Sequence, residues 1–230
     1  MYQRDSVVSQ RLFTLICMLM GVLFVHTQEL SAEVLAWKLE KDTDGISVYT
    51  ASVEGSDFKA FRAVMEVTAS LNQLVSMHTD PDNISEWLYD CKKSELIKKV
   101  KDNEFYIYYV SAAPWPVQDR DYVLHSVITQ DSDSYVVTIN FKSETSITKN
   151  SDECVRMAEV TGYWLFKPLK AGKVRIEYQV HADPNGALPS WLANAAVVEQ
   201  PFETMKTIRQ HMTNEKYVNA QLSFIREPNR

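Results

Sequence analysis

The sequence predicts an α+β fold in which an antiparallel sheet carries one long C-terminal helix. Between Ser94 and Ala182 the chain is a succession of short segments rich in Val, Ile, Tyr and Phe, divided by turns such as Asp131–Ser134 and Lys170–Lys173. Antiparallel meanders read this way. From Leu188 the period changes: Leu188, Trp191, Leu192, Ala195, Val198, Phe202, Met205, Ile208 and Met212 fall at steps of one, three and four, a single apolar stripe at helical spacing. Glycine is sparse beyond residue 32, at Gly45, Gly55, Gly162, Gly172 and Gly186, and nowhere clustered. That excludes a phosphate-cradling loop, a dinucleotide fingerprint and a Gly-x-Ser-x-Gly elbow.

In chain order, Arg4 and Arg11 precede an apolar run, Leu12 to Val25, followed by His26-Thr-Gln-Glu and the small pair Ser31-Ala32. A basic start, a short apolar stretch and a small residue match an export signal cleaved after Ala32, so residues 1–32 are expected to be removed and the protein to be periplasmic or secreted. The run is shorter than the roughly 20 residues of a comfortable membrane span, and an uncleaved anchor is the alternative. Residues 33–215 are expected to form one domain and 216–230 a tail with no clear assignment. Trp37 to Asp42 reads as the end of a short helix, Asp44-Gly45 as a turn, and Ile46 as the start of a strand. Phe58 to Val67 is a second strand. Leu71, Leu74, Val75 and His78 share a helical face behind Ser70, a natural N-cap. Asp80-Pro-Asp-Asn83 ends that helix and caps a short one carrying Glu86 and Trp87.

Strands are expected at Ser94–Val100, Glu104–Ser111, Asp121–Thr129, Tyr135–Lys142, Val155–Lys167 and Lys173–Ala182. Pro201 interrupts the C-terminal stripe and removes one helical hydrogen bond. The formal net charge of −6 and the absence of a basic run longer than Lys98-Lys99-Val100-Lys101 argue against a nucleic-acid partner. The histidines stand singly, without metal-ligand spacing, and His78, Asp80 and Asp82 read as a capping turn, so no metal and no cofactor is implied. After the leader only Cys91 and Cys154 remain; they could form one disulfide or serve as small core residues.

One stretch stands apart. Ala113-Pro-Trp-Pro-Val-Gln-Asp-Arg-Asp-Tyr-Val-Leu124 breaks a strand with prolines around Trp115 and then sets Arg120 against residues that belong to a core. The order Asp44-Gly-Ile-Ser-Val-Tyr49, Ser85-Glu-Trp87, Pro116-Val-Gln-Asp-Arg-Asp-Tyr-Val123 and Leu188-Pro-Ser-Trp-Leu192 resembles the START domain, the steroidogenic-acute-regulatory-related lipid-transfer family, over residues 35 to 213. The resemblance implies a helix-grip fold, a curved antiparallel sheet around the C-terminal helix with a hydrophobic tunnel between them. It also implies one bound lipid or sterol-like molecule and a lid built from the 112–119 loop and the helix from Leu188. The family's carboxylate–arginine pair carries over as Glu86 with Arg120, in agreement with the need of a buried guanidinium for an anionic partner. The expected ligand-contacting residues are Glu86, Arg120, Tyr108, Trp115, Tyr163, Tyr178, Trp191, Val198, Phe202 and Met205, and none is expected to be catalytic. A monomer that touches a membrane surface transiently is the expected working state. The competing classes are a helix-grip enzyme of the polyketide cyclase or dehydratase type, and an envelope sensor or scaffold.

Overall fold

The computed structural model describes residues 35–147 and 153–228; the expected export signal lies outside them. Ten strands form one sheet: β1 (Lys38–Thr43), β2 (Ile46–Ala51), β3 (Ala60–Thr68), β4 (Cys91–Lys101), β5 (Glu104–Ser111), β6 (Asp119–Gln130), β7 (Val137–Ser143), β8 (Cys154–Arg156), β9 (Glu159–Pro168) and β10 (Lys173–Asp183). Their order across the sheet is β1-β2-β3-β10-β9-β7-β6-β5-β4, with β8 paired to β6. All neighbours are antiparallel except β6 and β8. Between β3 and β4 lie α1 (Leu71–His78) and a 3-10 turn (Pro81–Glu86); after β10 come α2 (Ser190–Gln210) and α3 (Glu215–Val218). This is the antiparallel sheet with a C-terminal helix that the strand and helix periods foretold.

Local chemistry accounts for the elements. Ser70 caps α1, its hydroxyl accepting from Gln73 N. Asp44 and Gly45 both have positive φ, as a two-residue hairpin turn between β1 and β2 requires. The segment before that turn is therefore strand and not the expected helix end: Lys38–Thr43 pairs with β2 and forms one margin of the sheet. Gly162 meets a packing demand, because a Cβ there would lie 2.1 Å from Gln179 O and 2.8 Å from the Phe141 ring. The expected strand over Val155–Lys167 divides at Met157-Ala158 into β8 and β9, which hydrogen-bond different partners.

The core runs along the inner face of the sheet, through Ile46, Val48, Ala63, Met65, Phe166 and Ile176, under α1 and the C-terminal half of α2. The segment after α2 belongs to it as well. Tyr217 and Ile225 are buried, and Leu222 N donates to Asn72 Oδ1 while Asn72 N donates to Glu227 Oε1. Cys91 is buried and Cys154 half-buried, and both are free thiols; desolvation pushes the Cys91 thiol up to about 11.

Candidate functional site: a cavity between the sheet and the start of α2

Strand alternation decides what faces inward. Phe105, Tyr109 and Ser111 of β5, Arg120, Tyr122, Leu124 and Ser126 of β6, Ile139 and Phe141 of β7, Val160 and Trp164 of β9, and Tyr178, Val180 and Ala182 of β10 share one face and line a cavity of about 380 Å³. His78 from α1 and Trp87 close one side, while Pro114 borders it and Leu192, Ala193, Val197 and Gln200 of α2 cover it. The lining is aromatic and aliphatic with a few polar groups, the make-up of a site for an apolar small molecule. Trp164 stacks on Tyr178 with ring centroids 3.7 Å apart, and Tyr109 stacks on Tyr122 at 5.2 Å. Burial pushes the phenols of Tyr109, Tyr122 and Tyr178 above their ordinary range, so all three are neutral hydroxyls.

Arg120 is 6% exposed and borders this cavity. Its Nε donates to Pro184 O and its Nη2 to Asn185 O, both at 3.1 Å, and Nη1 donates to Gln118 O. These bonds tie β6 to the segment leading into α2, and desolvation lowers the guanidinium pKa from its ordinary value. The expected pair with Glu86 is not formed. The Glu86 side chain is 55% exposed at the end of the 3-10 turn, with its carboxylate 4.0 Å from His211 Nε2, while its neighbour Trp87 turns inward. Backbone carbonyls solvate Arg120 in place of a carboxylate.

The bidentate carboxylate–guanidinium pair of this region lies on the opposite face. Arg156 of β8 donates from Nε and Nη2 to Asp121 at 2.9 and 3.1 Å, and the Tyr108 hydroxyl donates to Asp121 Oδ2 at 3.0 Å. This pairing raises the Arg156 pKa and binds β8 to β6.

Of the ten expected contact residues, Arg120 and Tyr178 line the cavity. Tyr108 and Tyr163 are one position out of phase and occupy the other face, where the Tyr163 hydroxyl bonds Glu177. Phe202 and Met205 are core residues beneath the second half of α2, and Val198 packs against the same core. Trp115 and Trp191 are 93% and 72% exposed, next to the lining residues Pro114 and Leu192. Sequence reasoning missed Tyr109, Tyr122, Trp164 and His78 as lining groups. Tyr122 was within reach, since it lies two positions after Arg120 and shares its face.

A family model described as START domain matches residues 25–217. A protein from Pseudomonas aeruginosa of undescribed function is 33% identical over 173 residues, which span 75% of this chain and 85% of the relative. Human phosphatidylcholine transfer protein is 26% identical over 168 residues, 70% of this chain and 76% of its own. Among solved structures, a fragment of the STAR-related lipid transfer protein of Xanthomonas axonopodis superposes with a TM-score of 0.71 at 37% identity. The overlap covers 76% of this chain and 98% of the fragment. Human StAR-related lipid transfer protein 5 shares the fold, with a TM-score of 0.69 at 15% identity over 91% and 98% of the two chains.

Proposed function

Because the chain belongs to the START domain family, whose members generally bind and transfer lipids, we propose that it carries one hydrophobic molecule in the cavity beneath α2 and exchanges it at a membrane surface. One observation supports this reading most directly. Two tryptophans, Trp115 and Trp191, stand exposed on the two segments that border the cavity, the 112–118 loop and the start of α2. Indole rings favour the zone between lipid headgroups and acyl chains, so both would enter a bilayer surface beside the opening. Burial supplies the affinity, at roughly 25 cal/mol per Å² of apolar ligand surface removed from water, and the polar groups of the lining set orientation. The ligand is taken to leave unchanged: the imidazole and phenols of the lining are held neutral by burial.

The 112–119 loop and the start of α2 act as the gate. Asn194 anchors the latter, accepting from Lys59 N at 2.9 Å and donating to Asp57 O at 3.1 Å. The work takes place outside the cytoplasm, with residues 1–32 as the export signal and a monomeric mature chain; N-terminal sequencing of the exported protein checks the cleavage point. Native mass spectrometry of the purified protein is expected to find one unmodified lipid per chain. Transfer of that lipid between vesicles is expected to slow at least tenfold when Trp115 and Trp191 are both replaced by alanine, with binding in solution retained. A crosslink between cysteines placed at these two positions is expected to slow exchange similarly. A chain that purifies and remains free of any hydrophobic ligand would refute the carrier reading.

A further inference from the structure

Resting on the reading that the cavity holds a lipid, we propose that its wall at His78 and Trp87 selects molecules bearing an uncharged hydroxyl. The hydroxyl would donate to His78 Nε2 and accept from the Trp87 indole N–H. Among the described residues these two atoms are buried and without a hydrogen-bond partner. Their roles are fixed and complementary. His78 Nδ1 lies 2.8 Å from Leu74 O, and a carbonyl only accepts, so the proton sits on Nδ1 and Nε2 presents a bare lone pair. Indole Nε1 only donates. The two rings are in contact, with centroids 4.6 Å apart and planes tilted by 48°, and both side chains line the cavity.

Orphaned polar atoms inside a protein are uncommon and call for an explanation. Here an acceptor and a donor are orphaned on two rings that touch, and a single O–H group between them would satisfy both. The surroundings select against other chemistries. The rings of Trp164 and Phe166 close around the imidazole at 4.6 and 5.2 Å, so a carboxylate or phosphate would meet aromatic faces and a lone pair. A ketone or ester accepts from Trp87 and leaves His78 unanswered, and an ammonium does the reverse. Both atoms are closed off from solvent, so an entering group has to part the rings. Only one that bonds both compensates for doing so. The imidazole stays neutral across the physiological range, since burial depresses its pKa to about 4, and Nε2 therefore remains an acceptor.

The test uses 2-tridecanol, 2-tridecanone and tridecane, matched probes that offer both hydrogen bonds, one, or none. Affinities are measured on the full exported chain after delipidation, for the unsubstituted protein and the variants His78→Phe and Trp87→Phe. The alcohol-to-ketone affinity ratio is expected to fall five- to tenfold in His78→Phe, and the ketone-to-alkane ratio by a similar factor in Trp87→Phe. Comparing ratios between variants cancels the differing hydration of the probes. If either variant fails to fold, the indole N–H resonance of Trp87 in the unsubstituted protein serves instead: it is expected to move downfield with the alcohol and not with tridecane.

Ratios or resonances that do not distinguish the probes would overturn the subsite, whether because the two rings bond each other or because a water stays between them. In that outcome all three probes still bind and the carrier reading stands. Failure of all three to bind would refute the carrier reading itself.

Discussion

The two halves of α2 have similar lengths and opposite relations to the sheet. From Ser190 to Gln200 no residue is fully buried, and the side chains turned toward the sheet include Ala193 and Val197, which roof the cavity. From Pro201 onward Phe202, Thr204, Met205 and Ile208 are buried and fill the space down to β2 and β3. Pro201 stands at the boundary, where its missing N–H leaves one carbonyl of the preceding turn without a helical partner. One helix is thus anchored by large side chains at one end and spans open space with small ones at the other. The second half holds the fold through buried side chains, while the roofing half has no fully buried residue and is tied down chiefly by the Asn194 hydrogen bonds to Lys59 and Asp57.

The largest effect expected from breaking this contrast is on stability. Met205 is 0% exposed, so Met205→Ala should cost about 3 kcal/mol through lost burial and the hole left behind. Val197→Ala, in the roof, should cost under about 1 kcal/mol because little buried surface is lost. Urea unfolding of the two variants checks the difference, and equal costs would deny that the halves differ. The roof should also accept bulk: Ala193→Leu is expected to leave stability within about 1 kcal/mol, since the added methyl groups enter space already present. It should weaken binding of a cavity-filling ligand about tenfold, as read by titration.

Acid sharpens the same contrast at the wall below the roof. His78 takes up a proton near pH 4 when folded and near its ordinary 6.5 when unfolded. Between those values the unfolded chain holds more protons, so stability falls as pH drops from 6.5 toward 4, by up to about 3 kcal/mol. Above 6.5 the imidazole is neutral in both states and contributes no pH dependence. In His78→Phe that part of the acid sensitivity should vanish; an unchanged stability–pH profile would mean the imidazole is wetter than its ring of Trp87, Trp164 and Phe166 implies.

Amide exchange reads the contrast without substitution. Amides of residues 193–200 are expected to exchange faster than those of 203–210, because few buried contacts oppose local opening of the first half.

Period and turn chemistry made most of the sheet legible. The alternation in β10 and the helical period of α2 are properties of short windows and appear where the sequence puts them. Only the C-terminal part of the stripe, Phe202, Met205 and Ile208, is buried, while Trp191 and Ala195 of its first half are exposed. The misreadings share a cause. Tyr108 and Tyr163 are sound strand residues, yet a shift of one position moves a side chain to the other face, so Tyr109 and Trp164 line the cavity instead. Sequence alone names a strand more easily than its phase. β1 was hidden because a marginal strand with Lys38, Glu40 and Asp42 shows no apolar face, although Asp44-Gly45 is a hairpin signal that asks for strands on both sides. The segment after α2 docks through isolated anchors, Tyr217 and Ile225, and through side-chain bonds from Asn72 and Gln130, none of which has a period. Which half of α2 covers a cavity could not be read from the helix at all, because that volume is set jointly by several strands and α1.

The smallest effect tests how the anchored half is held at its rim. Lys41 of β1 places its ammonium 3.5 Å from the centre of the Phe202 ring and 3.4 Å from the Glu199 carboxylate. The ion pair is largely exposed on the Glu199 side and is screened by salt, so it contributes little. The ring contact is shielded by the buried face of Phe202 and is worth about 0.5–1 kcal/mol. Lys41→Met keeps the apolar stem and removes the charge, and should lower stability by that amount in dilute buffer and nearly as much in 1 M NaCl. Combining it with Phe202→Leu separates the two partners: a coupling of about 0.5 kcal/mol or more assigns the loss to the ring. A deficit that disappears in salt assigns it to Glu199, and would leave the rim of the anchored half held by apolar packing alone.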